Sequence, residues 1–553
     1  STPIVENSPV PTTNPAVPPT NPATTNPASA TNPISTTNPA VPDTEKKRDG
    51  RKLNIRPVSD KEIDEIVGVT GKISLREAIP QALRKNLGIA ISRVEHASME
   101  ETPEIAEAEF DPTLSFSSQY NNDGNAYWRH DRVAGSSSHD WANEIALSKK
   151  FSYGTEASIY GDFNRTYNTT APYSPASGAA VGVEITQPLL SGFGEEVNLA
   201  PLVLARQNVL QSKLSLRKST LDLLYDVEVA YQNLAAAFAL VHARLSSLRH
   251  AEFVLEQAKK LRALNSATRE DVLQAEADVA SNKVNLVSAR QSVQDYDDEL
   301  RKLLGQTGET QTGVYRVAPL RDDIPAETIS FAEWIRQVRD FDIDSQIQEI
   351  EREKAELNYK VALDADKPSL DLVLGAEFSG ADKSPGYAVT GIVDRPGYNA
   401  GVGIKFSMPI GFRQARAELR QAEQARTNAA LSIAQALQEA MFDARSAWRA
   451  CESAHERLDA AKTALAMQNE SYESQVAKYS RGSATMTDVL SAQNSLDSAR
   501  LEVIQAALDV ATASARIHRL DGRILSENGF TWTEVDYGEG PATTTNESAT
   551  TNS

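Results

Sequence analysis

The chain has one cysteine in 553 residues, no apolar run approaching the roughly 20 residues that a membrane-spanning helix needs, and two stretches of about 110 residues almost free of helix breakers. The lone Cys451 excludes an intrachain disulfide, and its Ala-rich setting predicts a small, inert helix-packing residue. The missing apolar run excludes a helical membrane anchor. The sequence opens on Ser1 without a basic-then-apolar segment and without an N-terminal cysteine, so it reads as a mature or processed chain and, if Ser1 is the true start, not as an N-acylated lipoprotein. A formal charge of -19 argues against nucleic acid as a partner, because phosphate binding needs clustered Lys and Arg.

Enzyme chemistry is equally thin. The seven histidines, His96, His130, His139, His242, His250, His455 and His518, make no ligand cluster, and neither HExxH nor paired CxxC occurs. There is no GxxxxGK[ST] and no complete GxGxxG, and carboxylates dispersed along helices do not make an acid-base pair. No catalytic residue, cofactor or metal site is expected.

What the sequence does contain is an internal duplication. TREDVLQAEADVASNKVNLVSARQSVQDYDDELRKLLG, from Thr268 to Gly305, aligns without gaps on TMTDVLSAQNSLDSARLEVIQAALDVATASARIHRLDG, from Thr485 to Gly522, and both carry Thr-x-x-Asp-Val-Leu-x-Ala. Upstream, ITQPLLSGFG around Pro188 corresponds to KFSMPIGFR around Pro409, and FDPTLSFSSQY to DKPSLDLVLGAEF. Each half therefore runs strand, loop, strand ending at a proline, then long helices.

The strands alternate with period two. Leu370, Leu372, Leu374, Ala376 and Phe378 share one face against Asp371, Gly375 and Glu377, and Tyr398, Val402, Ile404 and Phe406 oppose Asn399, Gly403 and Lys405. Leu114, Phe116 and Tyr120 alternate in the same way against Ser115, Ser117 and Gln119. Such segments have the length that crosses a bilayer tilted, and the aromatics of the first half (Tyr120, Tyr127, Trp128, Trp141, Phe151, Tyr153, Tyr160, Phe163, Tyr167 and Tyr173) have the composition of an interfacial girdle.

Between Glu195 and Leu304 the only breaker is Pro201, and between Phe412 and Asp521 it is Gly482. Each half thus holds a helix of about 65 residues, on the order of 100 Å long, and one of about 36. Leu234, Phe238, Val241, Leu245, Leu248 and Leu255 follow heptad spacing and predict a narrow coiled-coil seam. The turns between these helices read residue by residue. In KYSRGSATMTD, Gly482 supplies the left-handed terminator, Thr485 the next cap and Asp488 the capping-box acid; in ALNSATRED the same places hold Asn265, Thr268 and Asp271.

These residues resemble the TolC-like outer-membrane efflux and secretion channel family over about Ser74 to Gly522, with SLREAIPQALRKN similar to its opening helix, QPLLSGFG to its barrel exit and YSRGSATMTDVLSAQNSLDSAR to its last periplasmic tip. The resemblance implies an α+β membrane protein: a homotrimeric β-barrel in outer-membrane lipid, continued by a long α-helical coiled-coil barrel across the periplasm, with two repeats per chain. It implies a passive exit duct of a tripartite efflux pump or type I secretion system, driven by an inner-membrane transporter through a periplasmic adaptor. The adaptor would meet Asn265, Ser266 and Ala267 and Arg481, Gly482, Ser483 and Ala484. A non-conducting envelope-spanning scaffold is the alternative. Some members close the tunnel with two acids three residues apart; here Asp271 and Asp488 hold the first position, but Gln274 and Ser491 the second, so the pair either lines a constriction or only caps.

The expected organisation is a disordered Thr/Asn/Pro-rich tail over 1–58, a first repeat over 59–305 with strands about 113–187 and long helices about 195–304, and a linker or equatorial region over 306–329. A second repeat follows over 330–534, with strands about 370–408 and long helices about 412–521, and then a disordered tail over 535–553. Two hairpins per chain give twelve strands in a trimer, since four strands cannot close and an open edge in lipid is untenable. The first half is longer, however. WANEIALSKKFSYGTEASIYGDFNRTYN reads as strand, turn at Tyr153 and Gly154, strand, and is either an elaborated external loop or two more spanning strands that raise the count to eighteen.

Overall fold

The computed structural model describes residues 56–124, 137–169, 174–307, 313–325 and 329–529. The chain divides into Ser1–Leu53 and Asn54–Ser553, and the described residues belong to the second unit. The tail expected over 1–58 lies outside the described residues except at its last three positions; the tail expected over 535–553, with Tyr127, Trp128 and Tyr173, lies wholly outside them.

The body opens with α1 (Asp60–Val67), strand β1 (Val69–Lys72) and helices α2 (Leu75–Lys85), α3 (Leu87–Glu100) and α4 (Thr102–Glu107). Four strands follow: β2 (Thr113–Gly124), β3 (Ser137–Lys150), β4 (Glu156–Asn168) and β5 (Ala176–Pro188). A single turn, α5 (Glu195–Asn198), leads into α6 (Ala200–Ala263), which α7 (Arg269–Leu303) returns along. After β6 (Val314–Arg316) the second repeat brings α8 (Phe331–Phe341), α9 (Ile343–Ala365), β7 (Ser369–Asp382), α10 (Pro385–Asp394) and β8 (Gly397–Ser407). The chain then runs through α11 (Arg413–Tyr479), α12 (Met486–Leu520) and the short α13 (Ile524–Glu527).

Six strands form one antiparallel sheet in the order β2-β3-β4-β5-β7-β8. Its register sorts the two faces. One row reads Phe116, Ile145, Gly161, Val181, Phe378, Tyr398; the row behind reads Ser117, Glu144, Asp162, Ala180, Ser379, Gly397. Period two thus gives one mainly apolar and one mainly polar face, with Asn143 and Arg165 as polar residues on the first. Tyr160 belongs to the polar face, where its hydroxyl donates to Glu377 Oε2 at 3.0 Å, so it is no part of an aromatic girdle on the other side. Tyr120, Trp141, Phe163 and Tyr167 keep the apolar parity.

The extra segment of the first half is not an external loop. The turn joining β3 to β4 packs at the helical end of the sheet, where Gly194 N–H donates to Tyr153 O at 3.3 Å and the Ser152 hydroxyl lies 3.3 Å from Glu195. Gly154, at φ 87°, is so close to this junction that a Cβ there would lie 2.4 Å from Gly192 O. Strands of 14 and 13 residues that reach this turn run the full height of the sheet and exceed the roughly 9–11 that a tilted spanning strand requires. Another feature without a sequence signal is α10, which interrupts the β7–β8 hairpin.

Among the described residues no helix is long and apolar enough to cross a membrane. The helices instead bury one another. α6 packs against α3, α7, α9 and α12, so between Leu221 and Ala258 it buries apolar residues on more than one side. Leu234, Phe238, Val241, Leu245 and Leu248 of the expected seam are buried, but so are Ala230, Tyr231, Ala235 and Ala237, because a helix in the middle of a layer has neighbours on more than one side. α11 borders the layer at one edge, and its first half leaves Leu431 and Phe442 exposed; at the other edge α3 leaves Leu87, Ile91 and Val94 exposed.

The segment between the repeats is clamped to the middle of this layer. Arg301 and Asp297, both buried on α7, pair at 2.5 Å; Arg301 also donates to Gly313 O at 2.9 Å, and Asp297 accepts the Tyr315 N–H at 2.9 Å. The charge on Asp297 is costly in that setting, and burial raises its pKa despite the guanidinium. β6 pairs in parallel with β1, and its last residue, Arg316, reaches Asp60 and Asp64 of α1 at 3.2 and 3.0 Å. Cys451 is buried with Trp334, Ala444 and Ile517, in the packing role expected of it.

Candidate functional site

The two helical turns at the far end from the sheet have the same construction. α6 ends with Asn265 at φ 58°, its N–H donating to Arg262 O at 2.9 Å while Ser266 N–H donates to Leu261 O at 2.8 Å. α11 ends with Gly482 at φ 72°, with Gly482 N–H to Tyr479 O at 2.9 Å and Ser483 N–H to Lys478 O at 3.0 Å. Both are Schellman motifs, which use a left-handed residue to satisfy carbonyls that the helix end would otherwise strand. The returning helices are capped alike. Thr268 N–H donates to Asp271 Oδ2 at 2.7 Å and Asp271 N–H donates to Thr268 Oγ1 at 3.1 Å; for Thr485 and Asp488 the distances are 2.9 and 3.2 Å.

Each acid is therefore engaged as a cap, and the backbone N–H of Thr485 holds the Asp488 carboxyl below the usual carboxylate range. Asn265, Ser266, Arg481, Gly482 and Ser483 are exposed, and Ala267 and Ala484 half-buried. Leu264, which sequence reading passed over, is 73% exposed at the first tip; Arg481 is its counterpart at the second. The tips are not equivalent inside. Tyr479 is buried where Arg262 is exposed, and burial, then the nearby Asp271 charge, raises its phenol pKa. Gln274 and Ser491, three residues beyond Asp271 and Asp488, come together on one open groove with Thr487, Asn494, Ser495 and Ser498, all neutral.

Above the tips, a buried polar network ties the two helical hairpins together. Gln493 donates to Asp278 Oδ2 at 3.0 Å, the Ser247 hydroxyl donates to Asp497 Oδ1 at 2.5 Å, and His250 Nδ1 lies 3.3 Å from the Tyr472 hydroxyl. Burial raises the pKa of Asp278 and of Asp497 and pushes His250 down to about 4, with the Arg500 charge adding to the last shift. Sequence reading missed this network because its members come from four helices and lie up to 250 positions apart. Among the described residues no group of three or more His, Cys, Asp or Glu is placed to hold a metal ion.

A six-stranded sheet with one apolar face, long helices in two repeats and paired capped tips is a specific combination, and residues 78–306 and 334–523 match the family model of outer membrane efflux proteins. The chain belongs to that family. Outer membrane efflux protein BepC of Brucella suis biovar 1 (strain 1330) is 21% identical over 372 residues, 67% of this chain and 77% of the relative. Among solved structures, CusC superposes with a TM-score of 0.62 at 16% identity, covering 81% of this chain and 91% of its own. VceC of Vibrio cholerae gives 0.60 at 16% identity, covering 81% and 96%.

As an outer membrane efflux protein the chain sits in the outer membrane and extends into the periplasm. Its fold class is the trimeric β-barrel continued by a long α-helical barrel, with two structural repeats per chain. The apolar face of the sheet is then the lipid face and the polar face lines the lumen, where Glu144, Asp162, Glu184 and Glu377 stand on neighbouring rows.

Proposed function

We propose that three copies close an eighteen-stranded barrel and serve as the passive exit duct of a tripartite efflux pump or a type I secretion system. The observation that carries this reading is the pair of open edges. β2 and β8 are exposed along their whole lengths at the two ends of the sheet, and the exposed apolar residues of α3 and α11 lie on the same two sides. An edge that meets lipid unpaired is untenable, so β8 of one copy pairs with β2 of the next, and three repeats of this head-to-tail contact close the ring.

The exposed tips, Asn265, Ser266, Ala267, Arg481, Gly482, Ser483 and Ala484, are the surface offered to a periplasmic adaptor, through which an inner-membrane transporter supplies the energy. Asp271 and Asp488 line the narrow end of the tunnel in addition to capping. A photo-crosslinking residue in place of Ser266 or Ser483 is expected to trap the adaptor in cells; crosslinks confined to the equatorial segment around Tyr315 would overturn the tip assignment. Purified trimers in a planar bilayer are expected to conduct, and an impermeable trimer would leave a structural scaffold instead.

A further inference from the structure

The ten residues Ser384–Val393 carry no charge, and nearly all of them fold into α10 at the outer end of the β7–β8 hairpin. The helix lies hard against the wall. Ala388 is fully buried, a Cβ on Gly380 would stand 2.2 Å from Ala388 O, and a Cβ on Gly391 would stand 3.4 Å from Gly380 Cα. Gly380 has the parity of Leu374 and Phe378, and its register partner Ala179 has that of Val181 and Val183. α10 therefore covers β5 and β7 on the outside of the barrel, the face that meets lipid.

Its depth follows from the strand. Leu370 to Phe378 is eight steps of about 3.4 Å, which at the usual tilt covers roughly 20 Å of an apolar band of about 25 Å. Gly380 is two residues further, at the outer boundary. At this level the neighbouring strands carry aromatics: Phe163 is the register partner of Ala179, and Tyr120, His139 and Tyr167 stack in a row with ring centroids 6.2 and 5.9 Å apart. On the same face β5 and β7 carry only the small Ser177, Ala179 and Gly380 there, with Asp382 opposite Ser177 at the strand end. The small residues make room, and the helix brings the apolar surface that the strands lack: Tyr387, Val389 and Val393 are 71%, 52% and 83% exposed. Charges are confined to its ends, at Asp382, Lys383, Asp394 and Arg395.

We propose that α10 is an interfacial helix, lying on the outer wall of the barrel at the outer-leaflet boundary with Tyr387, Val389 and Val393 in contact with lipid chains. Lipid is the occupant because this surface is continuous with Val181 and Phe378, which the bilayer already covers. The inference rests on the barrel assignment, and its test separates the two. Full-length trimers carrying Val393→Cys or Ile404→Cys, with Cys451 left buried, are labelled with an environment-sensitive fluorophore and reconstituted in phosphatidylcholine vesicles. The label at 393 is expected to emit blue-shifted light, to lose most of its emission to nitroxide lipid and to resist iodide. Quenching by iodide instead, or resistance to both quenchers as under a protein partner, overturns the proposal while the label at 404 still responds to nitroxide lipid. A label at 404 that ignores nitroxide lipid overturns the barrel as well.

Discussion

Replacing Gly482 by alanine would place a Cβ on a residue at φ 72° with nothing within 4 Å of it, so the whole cost is backbone conformation, about 1–2 kcal/mol. Hydrogen exchange over Lys478–Thr485 is expected to speed up roughly 5- to 30-fold, whereas Asn265→Gly leaves the other tip unchanged or slower. A second residue-scale effect is pH dependence. His250 titrates at about 4 in the folded chain and near 6.5 when unfolded, so between these values the unfolded state binds more protons. Its contribution is present above pH 6.5 and is lost as pH falls towards 4, with a slope of at most about 1.4 kcal/mol per pH unit. Asp278 and Asp497, with raised folded-state pKa values, act in the opposite sense, losing stability as pH rises through those values. Thermal melts of His250→Gln and parent trimers from pH 4.5 to 7 are expected to converge at the acid end, because the aspartates are common to both; parallel curves would contradict the assignment. The tips were legible in sequence because few residues accept a left-handed conformation and because Thr-x-x-Asp marks a cap. The Asp278–Gln493 network was not, since burial of a polar group depends on partners that only the fold brings together.

At the scale of elements, the alternation of Leu370–Phe378 and Tyr398–Phe406 was enough to recognise strands and their faces, and the absence of breakers was enough to place α6, α7, α11 and α12. The number of strands was not legible, because a hairpin that reaches the helical end and one that loops outside both read as strand, turn, strand. What decides is the contact of Gly154 with Gly192. Gly154→Val is accordingly expected to cost at least about 2 kcal/mol from positive φ and overlap together, seen as loss of the heat-modifiable folded band on a gel. Gly375→Ala in β7, where a Cβ meets nothing within 4 Å, is expected to leave that band intact. α10 escaped sequence reading because PGYAVTGIVD is short, carries no charge before its last residue and lacks clear periodicity. Composition alone groups Tyr160 with the girdle aromatics, whereas its parity puts it on the polar face.

At the scale of the molecule, the lumen face holds Glu144, Asp162, Glu184 and Glu377 in each copy, set against Lys150 and Lys405. Such a field favours cations over anions in the pore. Replacing the four glutamates and aspartates by their amides is expected to shift the reversal potential in a salt gradient towards anion selectivity. Asp271→Asn with Asp488→Asn is expected to raise single-channel conductance if both acids also line the narrow end; unchanged conductance would leave them as caps alone. Closure of the ring is the claim on which the rest depends, because the open edges at β2 and β8 leave every copy incomplete. A density map of the purified trimer in a lipid membrane tests it most directly. The expected result is a threefold barrel of eighteen strands with β8 of each copy paired to β2 of the next; a closed barrel of twelve, with β3 and β4 outside the wall, would contradict it.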